Sequence, residues 1–126
     1  MRRRTEREEL FRTGMRCRIP DCPVQTTVLP KVSSSLETEA LAYTLVVPRS
    51  VCRTAVGRNR VRRLLRESLR AILSSQPALV APYRALALRW SGPSTTDCKR
   101  LRLRDVLPHV VAVLTAASTR LVPHGC

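Results

Sequence analysis

The chain has 126 residues, enough for one domain with a modest core, and apolar residues make up 44% of it. Its formal net charge of +14 favours nucleic acid as a partner, ahead of an anionic membrane surface. The five cysteines are an odd count that argues against a disulfide framework, and no apolar run is long enough to span a membrane.

One helix and one weak strand are expected in the N-terminal third. Residues 5–13 are predicted to form a short helix, which Thr5 caps and Gly14 ends. Residues 15–30 hold prolines around the segment VQTTVL, and because proline removes ladder donors we expect an edge strand at most. The polar segment at residues 31–39 predicts a loop.

Two further strands flank an arginine-rich helix. Residues 40–47, ALAYTLVV, predict a buried strand. The helix is expected to begin near Thr54 and to end near residue 75. Residues 82–90, PYRALALRW, alternate well enough to predict another strand, and SGPSTT at residues 91–96 predicts a turn.

A C-terminal helix is predicted at residues 106–119, with Asp105 as its cap and Pro108 in its first turn. The resulting order is α-β-β-α-β-α. It predicts an α/β (α+β) two-layer sandwich, in which helices pack on a small mixed sheet.

The domain is expected to span residues 1–126 as a single unit. Its folded core is predicted at about 5–119, between a basic N-terminus at 1–4 and a tail at 120–126. The charged N-terminus lacks the apolar run of a signal peptide, so we expect a cytoplasmic protein.

The arginine-rich helix has two contrasting sides. At 100° per residue, its apolar side lies within about 80° of Val61 and must pack on the sheet; it holds Leu64, Leu65, Ser68, Leu69 and Ile72. The opposite side, flanked by Arg62, holds Asn59, Arg63, Arg66 and Arg70. A solvated face usually mixes charges of both signs, whereas the only acid here is Glu67. The exposed side therefore indicates a nucleic-acid contact.

The start of this helix also suits an anion. Arg58 and Arg60 lie near it and point to either side, and Gly57 lets a backbone come close. A helix N-terminus attracts phosphate through its unpaired N–H groups.

The segment AVGRNRVRRLLRESLR resembles the signature of the bacterial ribonuclease P protein subunit. The match runs in order through Ala55, Val56 and residues 58–67, with the Arg-Asn-Arg core at 58–60. The preceding YTLVVPRSVCRT resembles the family's second strand and basic lead-in, and LFRTG resembles the end of its first helix. The resemblance covers roughly residues 6–118 and is specific over 43–70.

The resemblance implies both a fold and a function. The fold would be a small sandwich like ribosomal protein S5 domain 2, with a left-handed β-α-β crossover, against the usual rule. The chain would be the protein subunit of ribonuclease P, an endoribonuclease that removes the 5′ leader of precursor tRNA. The RNA subunit would carry Mg²⁺ and the chemistry, so the protein alone would bind no cofactor or metal, have no catalytic residue, and need no membrane or protein partner.

The family's two RNA sites carry over unevenly. For the catalytic RNA the resemblance implies the residues on the motif, which are Arg58, Asn59, Arg60, Arg62, Arg63 and Arg66. The predicted site also includes Arg70, from the charged side of the helix, and Arg49 and Arg53, from the basic lead-in. Phe11 matches the second aromatic residue of the first helix, which faces the leader, whereas the first aromatic is here Arg7. The aromatic residue usual in the first strand is also missing. Leader contact is therefore expected to depend more on the charges of Arg7, Arg16 and Arg18.

Catalysis by the protein itself has little support in the sequence. No Cys-x-x-Cys pair suggests zinc, no Gly-rich phosphate loop is present, and His109 and His124 match no catalytic pattern. Two other functions stay open at this point. One is a structural protein that binds ribosomal RNA without associated catalysis, and the other is a DNA-binding regulator, although its usual helix-turn-helix pair is lacking.

Overall fold

The computed structural model describes residues 4–30, 41–92, 98 and 100–121, and the side chains of residues 4–7, 120 and 121 lie outside that description. Three helices and four strands occur in the order α-β-β-β-α-β-α. They are α1 (Arg4–Thr13), β1 (Met15–Cys17), β2 (Val24–Pro30), β3 (Ala42–Val46), α2 (Ala55–Ser75), β4 (Tyr83–Trp90) and α3 (Leu103–Leu121), with a 3₁₀ turn at Pro77–Leu79 before β4.

The sheet is mixed, as predicted, but it has one strand more than the predicted order allows. The strands lie in the order β1-β2-β4-β3, with β3 parallel to β4 and the other pairs antiparallel. The extra strand is β1, which pairs with β2 from Met15 opposite Val28 to Cys17 opposite Thr26. Three residues are too few to give a periodic pattern, so the order α-β-β-α-β-α was wrong by one element.

Two strands exchange the positions expected of them. β2 lies inside the sheet, because Pro23 precedes it and Pro30 is its last residue, so the residues between keep their N–H donors. The predicted edge position of this strand was therefore wrong. The two edges belong to β1 and to β3, and β3 is half-buried along its whole length.

Helices cover both faces of the sheet, which corrects the two-layer prediction. α2 and α3 pack on one face, where Val28, Leu86 and Leu88 share a core with Val61 and Leu65. On the other face α1 buries Leu10 in a separate cluster with Leu29, Ala85 and Ala87. This second layer is possible because β4 is apolar on both sides, with residues 85–88 all buried.

α1 is held close to its face of the sheet. The helix ends where the Gly14 N–H donates to the Leu10 carbonyl over 2.9 Å. A Cβ on Gly14 would lie 2.8 Å from Thr27 Cγ2, so only glycine permits this approach. An ion pair between Glu9 and Arg84 ties α1 to β4 as well.

β3 and β4 are adjacent parallel strands joined through α2, so the fold contains a β-α-β crossover. Its left hand and the likeness to a ribosomal S5 domain stay predictions. α3 begins before the predicted start, at Leu103. Asp105 lies inside its first turn, where the carboxylate accepts a hydrogen bond of 2.9 Å from the Arg102 N–H. Within the described ranges, no helix combines the length and apolar content needed to cross a bilayer.

Candidate nucleic-acid interface

α2 begins and packs as its sequence predicts. Thr54 is the N-cap, with its Oγ1 accepting a hydrogen bond of 3.0 Å from the Gly57 N–H. The buried side holds all of the predicted apolar-side residues, which are Val61, Leu64, Leu65, Ser68, Leu69 and Ile72, and it also holds Gly57. The register of the exposed side follows from this packing.

Gly57 brings two other segments against the first turn of α2. A Cβ at this position would lie 2.8 Å from Cys52 Sγ and 3.1 Å from Cys98 Cβ. Any side chain would therefore push away the segment before α2 or the one before α3. The close approach sets both segments beside the arginines of the helix start.

The exposed side of α2 carries an arginine stripe, which consists of Arg63, Arg66 and Arg70. Arg63 Nε lies 3.1 Å from Glu67 Oε1, but this pair is solvent-exposed and is worth at most about 1 kcal/mol. Within the described part of the chain, the side chains of Arg66 and Arg70 make no hydrogen bond or ion pair. The stripe therefore presents guanidinium groups to solvent.

The charge distribution along α2 is the reverse of the one that favours a helix. The first turn has no acidic residue and the last turn has no basic one. The helix dipole places partial positive charge at the N-terminus, so cations there are unfavourable by a few tenths of a kcal/mol each. Arg58 and Arg60 nevertheless lie in the first two turns. An anion bound at this end would offset the repulsion.

Two arginines also hold the local structure together. Arg58 Nη1 donates to the carbonyls of Cys52 and Arg53, over 3.2 and 3.0 Å. Arg60 Nε donates to the Leu101 carbonyl over 2.8 Å. A guanidinium has five N–H donors, so each of these side chains keeps donors for a ligand.

Arg62 and Asn59 contact each other on the exposed side of the helix. Arg62 Nη1 donates to Asn59 Oδ1 over 3.2 Å. This bond fixes which end of the Asn59 amide faces Arg62 and leaves the amide nitrogen as a donor.

The basic lead-in forms a compact turn before α2. The N–H groups of Val51 and Cys52 both donate to the Pro48 carbonyl, over 3.2 and 3.0 Å. Arg49 and Arg53 are exposed on this turn, and Arg58 holds the Arg53 carbonyl. The structure thus brings the two lead-in arginines to the start of α2.

Two of the predicted leader residues share the α1 side of the sheet. Phe11 on α1 is 36% exposed, although it follows the fully buried Leu10. Arg16 on β1 is exposed and lies opposite Thr27, which in turn lies opposite the buried Ala87 of the α1 cluster. The face beside α1 therefore combines an aromatic ring with a cation. The side chain of Arg7 lies outside the described residues.

Arg18 lies elsewhere. It follows β1 and lines a cleft of about 610 Å³ at the end of the sheet, together with Trp90 and His109. Neither Phe11 nor Arg16 lines this cleft. Cys22 Sγ is 3.9 Å from His109 Nδ1 within it. The structure therefore does not join Arg18 to the other leader residues.

Sequence reasoning missed Arg89. This side chain is exposed near the end of β4, where it lies opposite Gln25 on β2 and Val46 on β3. Residue 89 shares the face of Ala85 and Ala87, which is the α1 face. The alternating pattern of the predicted strand contained this signal, because one face of PYRALALRW ends in arginine.

The described residues offer little for acid–base or metal chemistry. No group of three or more His, Cys, Asp or Glu side chains among them is placed to hold a metal ion. Burial, and second the nearby Cys17, raises the pKa of Tyr83. Tyr83 lies in the core between sheet and helices.

A family model described as Ribonuclease P matches residues 1–105. The chain belongs to the ribonuclease P family. No curated protein matches it. Membership makes the chain a ribonuclease P protein component, which implies partnership with the ribonuclease P RNA and a part in tRNA processing.

In this ribonuclease P protein, the residues predicted to bind the catalytic RNA follow one another along the lead-in and α2, whereas the residues predicted to bind the leader lie in two separate places. The set predicted for the catalytic RNA is continuous from Arg49 through the start of α2 to Arg70. The leader set is divided, with Phe11 and Arg16 beside α1 and Arg18 in the cleft.

Proposed function

We propose that the chain is the RNA-binding subunit of a ribonuclease P holoenzyme and assists removal of the 5′ leader from precursor tRNA. The observation that carries this proposal is the reversed charge of α2, with arginines at its positive end and along its exposed side. Both features are unfavourable in the free protein and favourable against phosphates. The RNA supplies the phosphodiester chemistry and holds the Mg²⁺ that this chemistry uses.

The catalytic RNA docks on α2 and its lead-in. The arginine stripe spans about two turns, or roughly 11 Å, which suits successive phosphates of one RNA strand. Arg58 and Arg60 hold the loops on either side in place, and each keeps further N–H donors for phosphate. Asn59 adds a directed hydrogen bond that carries no charge.

The leader binds on the other side of the sheet, beside α1. Phe11 offers one ring for stacking, and Arg16 and Arg89 offer charge. A single exposed aromatic residue cannot stack several bases, so phosphate contacts dominate and the leader is bound with little regard to sequence.

Reconstitution tests the proposal. RNA-free protein should leave precursor tRNA intact, because the holoenzyme's chemistry belongs to the RNA. The protein together with the ribonuclease P RNA of the same genome and Mg²⁺ should release the leader faster, at physiological salt, than the RNA alone. Cleavage by the RNA-free protein, or no stimulation of the RNA, would contradict the proposal.

The RNA that copurifies with the protein provides an independent check. A single RNA of a few hundred nucleotides is expected under gentle conditions. Recovery of ribosomal RNA alone would instead indicate a structural ribosomal protein.

A further inference from the structure

A second group of arginines lies just before and at the start of α3, outside the signature segment. Arg100, Arg102 and Arg104 are exposed, and we call them the α3 basic patch. The leucines between them, Leu101 and Leu103, are half-buried against the core. Because the leucines anchor the inner side, the three arginines all face solvent.

The patch, like the arginines at the start of α2, lies at the positive end of a helix, although the first turn of α3 also holds Asp105. Arg102 and Arg104 lie at the positive end of a 19-residue helix. The acid nearest to them in sequence is Asp105, whose Oδ2 accepts a hydrogen bond of 2.9 Å from the Arg102 backbone N–H. Within the described residues, no ion pair therefore compensates the charge of the Arg102 and Arg104 side chains.

The patch is continuous with the start of α2. Arg60 on the second turn of α2 donates to the Leu101 carbonyl, which lies in the middle of the patch. Gly57 contacts the same segment through Cys98. The N-terminal ends of α2 and α3, which both carry partial positive charge, are thus held in contact, and arginines from both helices lie around this contact.

Resting on the proposed function, we propose that the α3 basic patch extends the docking surface for the catalytic RNA and binds its phosphates. The leader is assigned elsewhere, because Phe11 and Arg16 lie on the α1 face of the sheet whereas α2 and α3 pack on the opposite face. Of the predicted leader residues with described side chains, only Arg18 lies near the patch, in the cleft that Leu101 also lines. Charge complementarity and direct continuity with α2 both indicate the same RNA that meets the arginine stripe.

Salt titrations of the affinity for transcribed ribonuclease P RNA test this inference. Arg102→Gln and Arg104→Gln should each flatten the plot of log affinity against log salt by up to about one unit. Asp105 accepts from the backbone of residue 102, so Arg102→Gln keeps the helix start and should melt like the parent protein. Arg12→Gln removes the same charge from an exposed position at the end of α1 and should leave the slope unchanged.

Arg66→Gln separates the two proposals, since it belongs to the stripe on α2. If Arg66→Gln flattens the slope while Arg102→Gln and Arg104→Gln do not, the patch is only a solvated surface and the inference is overturned, with the proposed function intact. If the patch variants weaken only the binding of precursor tRNA to the assembled holoenzyme, the inference is also overturned. If no variant changes the slope, docking through α2 fails as well.

Discussion

Individual arginines of α2 do different work although they share one motif. Arg58 donates to two loop carbonyls and is half-buried. Arg66 is exposed and makes no hydrogen bond or ion pair within the described residues. A hydrogen bond from a charged donor contributes more stability than a surface charge does. The motif thus combines residues that shape the proposed docking surface with residues that only present charge.

Arg58→Ala should therefore lower the free energy of unfolding by roughly 1–2 kcal/mol, because two carbonyls lose their donor. Arg66→Ala should lower it by less than about 0.5 kcal/mol. Both should flatten the salt dependence of RNA affinity. Denaturant unfolding of the two variants checks the first part, and equal midpoints would show that the carbonyl contacts of Arg58 contribute nothing.

Tyr83 gives a prediction that depends on pH. Its hydroxyl is buried without a hydrogen-bond partner among the described residues, and burial raises its pKa above 10.0. The folded protein then holds this proton more tightly than the unfolded chain. The stability that this proton contributes to the folded protein is fully present below pH 10 and is lost as the pH rises through the raised pKa of Tyr83.

Tyr83→Phe should remove that alkaline loss and should stabilise the protein by about 1 kcal/mol at neutral pH, since an unpaired buried hydroxyl disappears. Melting temperatures of parent and variant, measured from pH 7 to 11, check both effects. A parent and a variant that lose stability in parallel above pH 10 would contradict the assignment to Tyr83.

At the scale of elements, α2 was predictable and β1 was not, for physical reasons. α2 has 21 residues, so its apolar period repeats several times, and Thr54 marks its start chemically. β1 has three residues and is defined by its pairing with β2. The interior place of β2 likewise depends on partners that are distant in sequence, and no local pattern reports them.

The same distinction applies to the site. The exposed register of α2 follows from its period, so the stripe could be found from the sequence. The acceptors of Arg58 and Arg60 are loop carbonyls whose positions depend on the turn at Pro48 and on the packing of Leu101. The separation of Arg18 from Phe11 is also a matter of long-range packing.

Two leucines of α2 test whether its two sides are energetically distinct. Leu65 is fully buried and Leu73 is 43% exposed on the same helix. Leu65→Ala should cost roughly 2–5 kcal/mol of stability through a core cavity, and Leu73→Ala well under half of that. Denaturant unfolding of both variants, analysed with the same dependence of the unfolding free energy on denaturant concentration, compares the two losses of stability. Similar losses for both variants would mean that α2 is packed differently.

At the scale of the whole molecule, the sheet separates the two surfaces that the proposed function assigns to RNA. α2 and α3 bring their arginines to one side, and α1 with the open part of the sheet forms the other. The net charge of +14 attracts RNA to both sides, so specificity depends on which groups line each side. Variants on one side should therefore leave the function of the other side intact.

The leader side provides the test of this separation. Phe11→Ala should weaken the preference of the holoenzyme for precursor over mature tRNA, because the proposed leader site has the exposed ring of Phe11 stack on a leader base, and stacking of this kind is worth about 1–3 kcal/mol. Arg89→Gln should weaken the same preference and reduce its salt dependence, because it removes a phosphate contact. Neither variant should change the affinity for the catalytic RNA alone, whereas Arg66→Gln should lower that affinity and leave the tRNA preference of the assembled enzyme unchanged. The measurements are binding of both tRNAs to the holoenzyme and of the catalytic RNA to the free protein. If Phe11→Ala instead abolishes binding of the catalytic RNA, the two functions are not separated by the sheet, and the face beside α1 belongs to the docking surface.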